Sequence, residues 1–418
     1  MNRDSQMLLG VQNTLVFMYP SKNIGGAQIH FARLAQEVAG RSDFKVAIVD
    51  YADGFMRDFL KLSSNIDFID YVRGVQLPNN SITIVPFPHL VDLRFMIDPK
   101  CLNGSFLLYS LHVEDVNSLY KRGRSFFRLG DKKIRDNIGE MADDATIIFM
   151  NKASMDSFKE KLNIKIETDN FVPVPVGKKL GGEVDLKKTS EKIISLAWLG
   201  RLQHDKIHSI VKIMEDIAAS GNHNDIIFHI IGDGVESGRL VNFAKEKKVS
   251  VKLVGVLKGM ELNTYLKKNI DVGIAMGGSC LEIANLKIPT AVVDYSGSRI
   301  PKTHKYSWLY EEKNFDLGAD IKLGNLRTKS LENLISEVSE DQGNFIGEKC
   351  YKHALTKHST ESCTDALLAI INKKIADKSE FDIFKAERLI NTKLYSFIYR
   401  GALALRKYLI IVRYFYKY

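Results

Sequence analysis

Short apolar runs alternate with helix-patterned segments along this chain, and the alternation occurs twice. In the first half the runs are TLVFMYP (14–20), KVAIVDY (45–51), IDFIDY (66–71), SITIVPF (81–87), SFLLYSL (105–111) and ATIIFM (145–150). Each is apolar on both alternations, so a strand built from it must be dry on both faces, and a parallel sheet covered by helices on both sides meets that need. A second series follows: KIISLAWLG (192–200), DIIFHIIGDG (225–234), SVKLVG (250–255), DVGIAM (271–276) and PTAVVDY (289–295). The stretch between them, VGKKLGGEVDLKKTSEK (176–192), has almost no apolar content and reads as an exposed linker. The expected fold class is therefore α/β, with two Rossmann-like domains in tandem. Their bounds are residues 1–176 and 192–350, joined by a linker at 177–191 and followed by a helical, basic and aromatic segment at 351–418. One helix is especially clear: Ile207, Ile210, Val211, Met214, Ile217 and Ala218 form a stripe after Lys206, and Gly221 is expected to close it.

Composition narrows the class of protein. Of 418 residues 45% are hydrophobic and 26% charged, which suits packed domains rather than disorder. No stretch reaches the roughly 18 to 20 apolar residues of a spanning helix, and the first residues lack the pattern of a secretory leader. Cys101, Cys280, Cys350 and Cys363 lie far apart without ligand spacing, which fits a reducing cytoplasm and argues against structural zinc. The net charge of +9 is concentrated in two places: seven Lys/Arg against one acid from Lys121 to Arg135, and eight against two from Phe381 to Tyr418.

In open parallel sheets ligands bind beyond the carboxyl ends of the strands, so the loops after each run are where chemistry is expected. Gly25 and Gly26 follow the first run and precede a helix striped by Ala27, Phe31, Leu34, Ala35 and Val38. Without Cβ atoms they can form a tight turn, or bring peptide N–H groups against a phosphate or sugar. Arg201 follows the seventh run and Lys206 starts the next helix, where the macrodipole opposes a cation by about 0.3–1 kcal/mol. That placement is sensible if an anion occupies the site; otherwise the two are solvated surface cations. Gly277 and Gly278 end another run. Ser279 and Glu282 then have the spacing of a capping box, whereas a second reading has Glu282 accept hydrogen bonds from ribose hydroxyls while the glycine backbone faces a diphosphate. His112 follows the fifth run at the same edge as Gly25.

These residues resemble a known family, the retaining, family 4-like glycosyltransferases of the GT-B fold that build bacterial surface polysaccharides such as O-antigen, capsule and lipopolysaccharide. The resemblance rests on GGAQ, SLH, GRL-x-x-x-K, IGDG, LVGVL, MGGS-x-LE and IPT, in that order over residues 14–300. It implies two Rossmann-like domains facing a central cleft, and transfer with retention and without metal or other cofactor. By the resemblance Arg201 and Lys206 neutralise the diphosphate of a nucleotide sugar. Glu282 binds ribose, Val256 lies where backbone contacts the base, and His112 contacts the donor sugar near the reaction centre. Gly25 and Gly26 belong to the loop that closes over donor and acceptor, and Gly277, Gly278 and Ser279 complete the donor site. One departure matters: the family has a glutamate eight positions before the ribose-binding one, and here that position is Ile274.

The basic segments add a partner. The tail mixes Arg406, Lys407 and Arg413 with tyrosine, phenylalanine and leucine, which suits a helix lying in a headgroup layer, unless it folds back as an ordinary crossover helix. Lys121, Arg122, Arg124, Arg128, Lys132 and Lys133 form a second such surface. An anionic membrane is the expected partner, with attraction of about 1 kcal/mol per cation; no nucleic-acid module accompanies the charge. The expected protein is a cytoplasmic enzyme, peripheral on the inner face of the plasma membrane, that uses a nucleotide-sugar donor and a lipid-linked oligosaccharide acceptor. Two rivals stand beside it: a nucleotide-sugar epimerase or hydrolase of the same shape, and a catalytically silent sugar-binding scaffold motivated by Ile274.

Overall fold

The computed structural model describes residues 14–63, 65–98, 100–101, 105–122, 132–177, 193–221, 223–324, 326–339 and 343–376. The strands are β1 (Thr14–Met18), β2 (Lys45–Asp50), β3 (Ile66–Asp70), β4 (Ser81–Pro86), β5 (Ser105–Ser110) and β6 (Ile147–Phe149) in the first lobe. In the second they are β7 (Ile194–Leu199), β8 (Ile226–Ile231), β9 (Val251–Gly255), β10 (Val272–Ala275), β11 (Thr290–Val292) and β12 (Ser307–Trp308). The α-helices are α1 (Gly26–Arg41), α2 (Phe55–Leu60), α3 (Leu93–Met96), α4 (Asp115–Arg122), α5 (Lys132–Asp143) and α6 (Lys152–Leu162), then α7 (Ile207–Ala219), α8 (Ser237–Lys247), α9 (Gly259–Asn269), α10 (Gly278–Ala284), α11 (Leu331–Glu337), α12 (Gly343–His358) and α13 (Thr360–Ala376).

Each sheet has six strands, ordered β3-β2-β1-β4-β5-β6 and β12-β11-β10-β7-β8-β9. All eleven sequence-derived runs form strands, and all of those pair in parallel. Among the strands of the described residues only β12, too short to carry a period, pairs antiparallel, on β11. The order reverses between β1 and β4 in one sheet and between β7 and β10 in the other. Loops leaving those strands diverge to opposite faces there and open a crevice.

Side-chain alternation explains why the runs are continuously apolar. In β1, Leu15 and Phe17 face one core with Phe31, Leu34 and Val38 of α1, while Val16 and Met18 face another with Phe106, Leu108 and Phe149. Burying a residue of this size stabilises the fold by about 1.5–3 kcal/mol. The second lobe has its own core around Trp198, Phe228 and Ile274. In α7 the predicted stripe is buried at Ile207, Ile210, Val211, Met214 and Ile217, but the helix ends one residue earlier than expected, at Ser220, whose hydroxyl donates to the Ile217 carbonyl.

The last helices are shared between the lobes. Ile346, Cys350 and Ala354 of α12 join the second core, whereas Cys363, Leu367 and Ile371 of α13 join the first. Lys374, almost fully buried, donates to the Thr146 hydroxyl at 2.8 Å. The chain thus crosses between lobes near Gly177 and again near Ser359, and the two passes are bonded together. Val176 N–H donates to the His358 carbonyl (2.6 Å), and the Thr360 hydroxyl donates to the Val176 carbonyl (3.0 Å).

Close backbone packing aligns the loops of the second lobe. Gly232 has φ +139, and a Cβ there would lie 2.0 Å from the Gly200 carbonyl oxygen; on its other side its N–H donates to the Gly255 carbonyl at 2.8 Å. The IGDG motif is therefore a packing device that seats the loops after β7, β8 and β9 on one another. Gly232→Ala should cost about 1–3 kcal/mol, read as a lower denaturation midpoint with an unchanged slope.

Candidate active site between the lobes

The cations come from the switch of the second sheet. Gly200, with φ +153, turns the chain out of β7 and leaves Arg201 exposed. Lys206 is the residue preceding α7 and its side chain caps nothing. That side chain is only 19% exposed; its ammonium lies 3.4 Å from the Asp205 carboxylate and 4.9 Å from the centroid of the Tyr295 ring. Burial, joined by the charge of Arg201, pulls the Lys206 pKa below its ordinary value despite Asp205. The two cations therefore feel one another, and a site built this way favours a bound anion.

Across β10 lies the other wall. Gly277 adopts φ +62, ψ −146, a conformation essentially reserved for glycine. Added Cβ atoms at Gly277 and Gly278 would meet nothing within 4 Å, so backbone faces open space here. The capping-box expectation is not met: α10 begins at Gly278, Ser279 lies inside it, and no side chain caps its start. Glu282 instead reaches across to the first lobe, where its Oε1 accepts a hydrogen bond from the guanidinium of Arg33 at 2.8 Å. Arg33 also donates to the Pro175 carbonyl at the crossing (3.0 Å). Ile274 is wholly buried in the middle of β10, paired with Ala291. Only Met276 and Gly277 separate β10 from α10, so the chain has no room there for a loop bearing an earlier glutamate, and Ile274 is a core residue rather than a replaced polar one.

His112 is presented by the first sheet. Asp115, at the start of α4, is buried and its Oδ2 accepts from the backbone of Leu111 (2.7 Å) and His112 (3.1 Å) and from the Ser110 hydroxyl (3.1 Å). Burial raises the Asp115 pKa to about 7, partly offset by those hydrogen bonds. The His112 Nδ1 accepts from the Glu114 N–H at 3.0 Å, so the neutral ring carries its proton on Nε2. The imidazole stacks on Tyr295 of the second lobe, centroids 6.2 Å apart and planes 27° apart. Burial first, then the Lys206 charge, lower its pKa against the opposing pull of Glu114 and Asp205. It is neutral near pH 7.

The glycines of the first loop sit at the start of α1. Gly25 precedes the helix with extended backbone and no side-chain cap, and a Cβ on Gly26 would meet open space. Positive φ is therefore not what requires glycine here; a Cβ on Gly25 would lie 2.4 Å from the Gln28 side-chain oxygen, which folds back over the start of α1 without capping it. The carboxylate of buried Asp50, at the end of β2, accepts from Ser21, Tyr51 and Met56 N–H at 2.9 Å each and fixes the preceding loop.

Of the sequence-derived residues, His112 and Lys206 come together around Tyr295, Arg201 is near enough for its charge to act on Lys206, and Glu282 is bonded to Arg33 of α1. Val256 stands apart: it follows the edge strand β9 and is 59% exposed, next to the Gly200–Gly232–Gly255 backbone contacts. Of the basic surface, Lys132 is exposed at the start of α5. Lys121 and Arg122 end α4 and Lys133 lies in α5. Arg124, Arg128, Arg406, Lys407 and Arg413 lie outside the described residues, as does the bulk of the linker. Among the described residues no helix is long and apolar enough to cross a membrane.

Tyr295, Arg33 and Asp115 were not foreseen. Tyr295 is the last residue of the run PTAVVDY itself, so the rule that picked out His112, the first residue after its run, passes over it; the strand β11 ends earlier, at Val292, which leaves Tyr295 beyond its carboxyl end. Asp115 stands three residues after His112, where a short acid can cap the turn. Nothing local marks Arg33, whose partner is 249 positions away.

No family model matches the sequence, and no curated protein does. Solved structures do match in shape. HepE of Anabaena, solved with UDP and glucose, is similar over 86% of this chain and 99% of its own, at 12% identity and a TM-score of 0.50. A glycosyltransferase of Rickettsia africae is similar over 87% of this chain and 99% of its own, at 13% identity and a TM-score of 0.56. At such identities the likeness concerns architecture, and with two parallel six-stranded sheets and a terminal helix returning to the first lobe, this chain has the GT-B fold of those structures.

Proposed function

We propose that the chain transfers a sugar from a nucleotide-diphosphate donor to a lipid-linked glycan, with retention at the anomeric carbon. The observation that carries this reading is the meeting of His112 from the first lobe with Lys206 from the second across one aromatic ring, beside a sheet switch lined by bare glycine backbone. In the reaction the bond between the anomeric carbon and the diphosphate oxygen breaks as an acceptor hydroxyl oxygen bonds to that carbon from the same face, the hydroxyl proton passing to the departing diphosphate, on which negative charge grows as the bond breaks. Arg201 and Lys206 stabilise that charge, the lysine from a place already largely shielded from water. The sugar becomes electron-poor at the same moment, so a neutral imidazole donating from Nε2 to a sugar oxygen serves better than a cation. Glu282 accepts from the ribose once Arg33 yields to it, and the glycine turn at the start of α1 serves the acceptor. The two basic, aromatic segments support a membrane-borne acceptor.

The similarly folded HepE holds UDP and glucose, which makes UDP-glucose the first donor to try. A panel of UDP-, GDP-, ADP- and CMP-linked sugars should raise the melting temperature with one member only, since a ligand at about 100 times its Kd adds about 2.7 kcal/mol; no shift with any would count against the reading. The neutral His112 also predicts an acid limb in kcat. Because its pKa is lowered, activity should persist below the ordinary histidine value of about 6.5 and fall only as the ring protonates at lower pH. An acid limb centred at or above that value would contradict the assignment.

A further inference from the structure

We infer that Tyr295 is a positioning residue for this reaction: its ring, carried by the second lobe, sets the His112 imidazole of the first lobe and the Lys206 ammonium in register across the cleft. The inference rests on the transferase reading for its functional consequence and on geometry for its existence. Tyr295 follows β11 and Asp294, which Arg327 grips with two guanidinium nitrogens at 2.8 and 2.6 Å, so its backbone is anchored to the interior of the second lobe. The Tyr295 N–H and carbonyl are both occupied as well, bonded to the Ala319 carbonyl (2.9 Å) and the Ile321 N–H (3.0 Å). From that fixed base the ring packs with Val113 and Ala153 of the first lobe and Ala319 and Leu323 of the second. It stacks on His112 and lies under the Lys206 ammonium. The phenol hydroxyl is buried and has no hydrogen-bond partner among the described residues, so the ring and not the hydroxyl makes the contacts.

Two readouts test this together: kcat with the donor, and the His112 titration followed by NMR. The charges facing His112 are Glu114 and Lys161 from its own lobe and Lys206 and Asp205 from the other, all retained in the variants. Tyr295→Ala should lower kcat by about 10²-fold, as expected for a reacting group displaced by about 1 Å, and should return the His112 pKa toward its ordinary value as the ring loses its cover. Tyr295→Phe should keep both quantities at wild-type levels. Unchanged His112 titration in Tyr295→Ala would overturn the positioning role whatever the activity. Equal losses of kcat in both variants would overturn it too, by making the hydroxyl a substrate contact. A wild-type chain that turns over no nucleotide sugar would sink the transferase reading alone, and the titration would still decide whether Tyr295 holds His112.

Discussion

Lys206→Ala should lower turnover of the nucleotide-sugar donor by about 10²- to 10³-fold, the loss expected when one preorganised donor to a developing anion is removed. The expectation is strong because this lysine stands where an isolated protein gains least from it. It precedes a helix whose positive end disfavours it, and burial already lowers its pKa. Stability should therefore hold or rise slightly in the variant, since an unfavourable charge leaves the folded state. A fall in turnover accompanied by a comparable loss of stability would point to a structural lysine instead, and steady-state kinetics beside a thermal melt separate the two. Lys206→Arg is a useful companion, because it keeps the charge while altering its reach.

Arg327→Met should cost about 3–5 kcal/mol, the range for removing one partner of a buried ionic cluster. Arg327 is wholly buried and bonds the Asp294, Glu312 and Asp316 carboxylates and the Ser307 hydroxyl. It ties the end of β11 to β12 and to the segment after it. Burial alone would raise the Asp294 pKa, but hydrogen bonds from His304 and Arg327 and the guanidinium charge bring it below the ordinary carboxylate value. A depressed carboxylate contributes stability above its unfolded pKa and loses it as pH falls through the folded one. The destabilisation caused by Arg327→Met should accordingly be large near neutrality and shrink in acid as the stranded carboxylates protonate. Denaturant melts at two pH values check this; an equal cost at both would mean that packing and not charge is what the arginine supplies. Because Tyr295 follows Asp294, a milder form of the same variant should also reduce activity.

The sheets were legible because buried parallel strands write themselves as runs apolar on both faces, and Leu15 through Met18 divide between two cores as that rule requires. The loops were legible for the related reason that strand ends are where such folds place ligands, which selected Gly25, His112, Arg201 and Gly277 together. What stayed hidden depends on how distant pieces meet. The Arg33–Glu282 pair and the His112–Tyr295 stack exist only because the lobes face each other, and no local pattern encodes that. The capping-box spacing at Ser279 and Glu282 was a real regularity with a different meaning, since the helix starts before Ser279 and the glutamate serves the other lobe. Ile274 shows the same limit: counting eight residues back from Glu282 ignores the shortness of the β10–α10 connection.

The most direct test of the shared anionic site is the affinity of UDP for the wild-type chain and for an Arg201→Ala/Lys206→Ala double variant, measured by calorimetry at one ionic strength. Two charge-assisted contacts of about 1.5–3 kcal/mol each, at about tenfold per 1.4 kcal/mol, predict weakening by at least about 10²-fold while uridine, which lacks the diphosphate, binds both proteins alike. Equal affinity of UDP for the two would mean that these side chains hold no diphosphate.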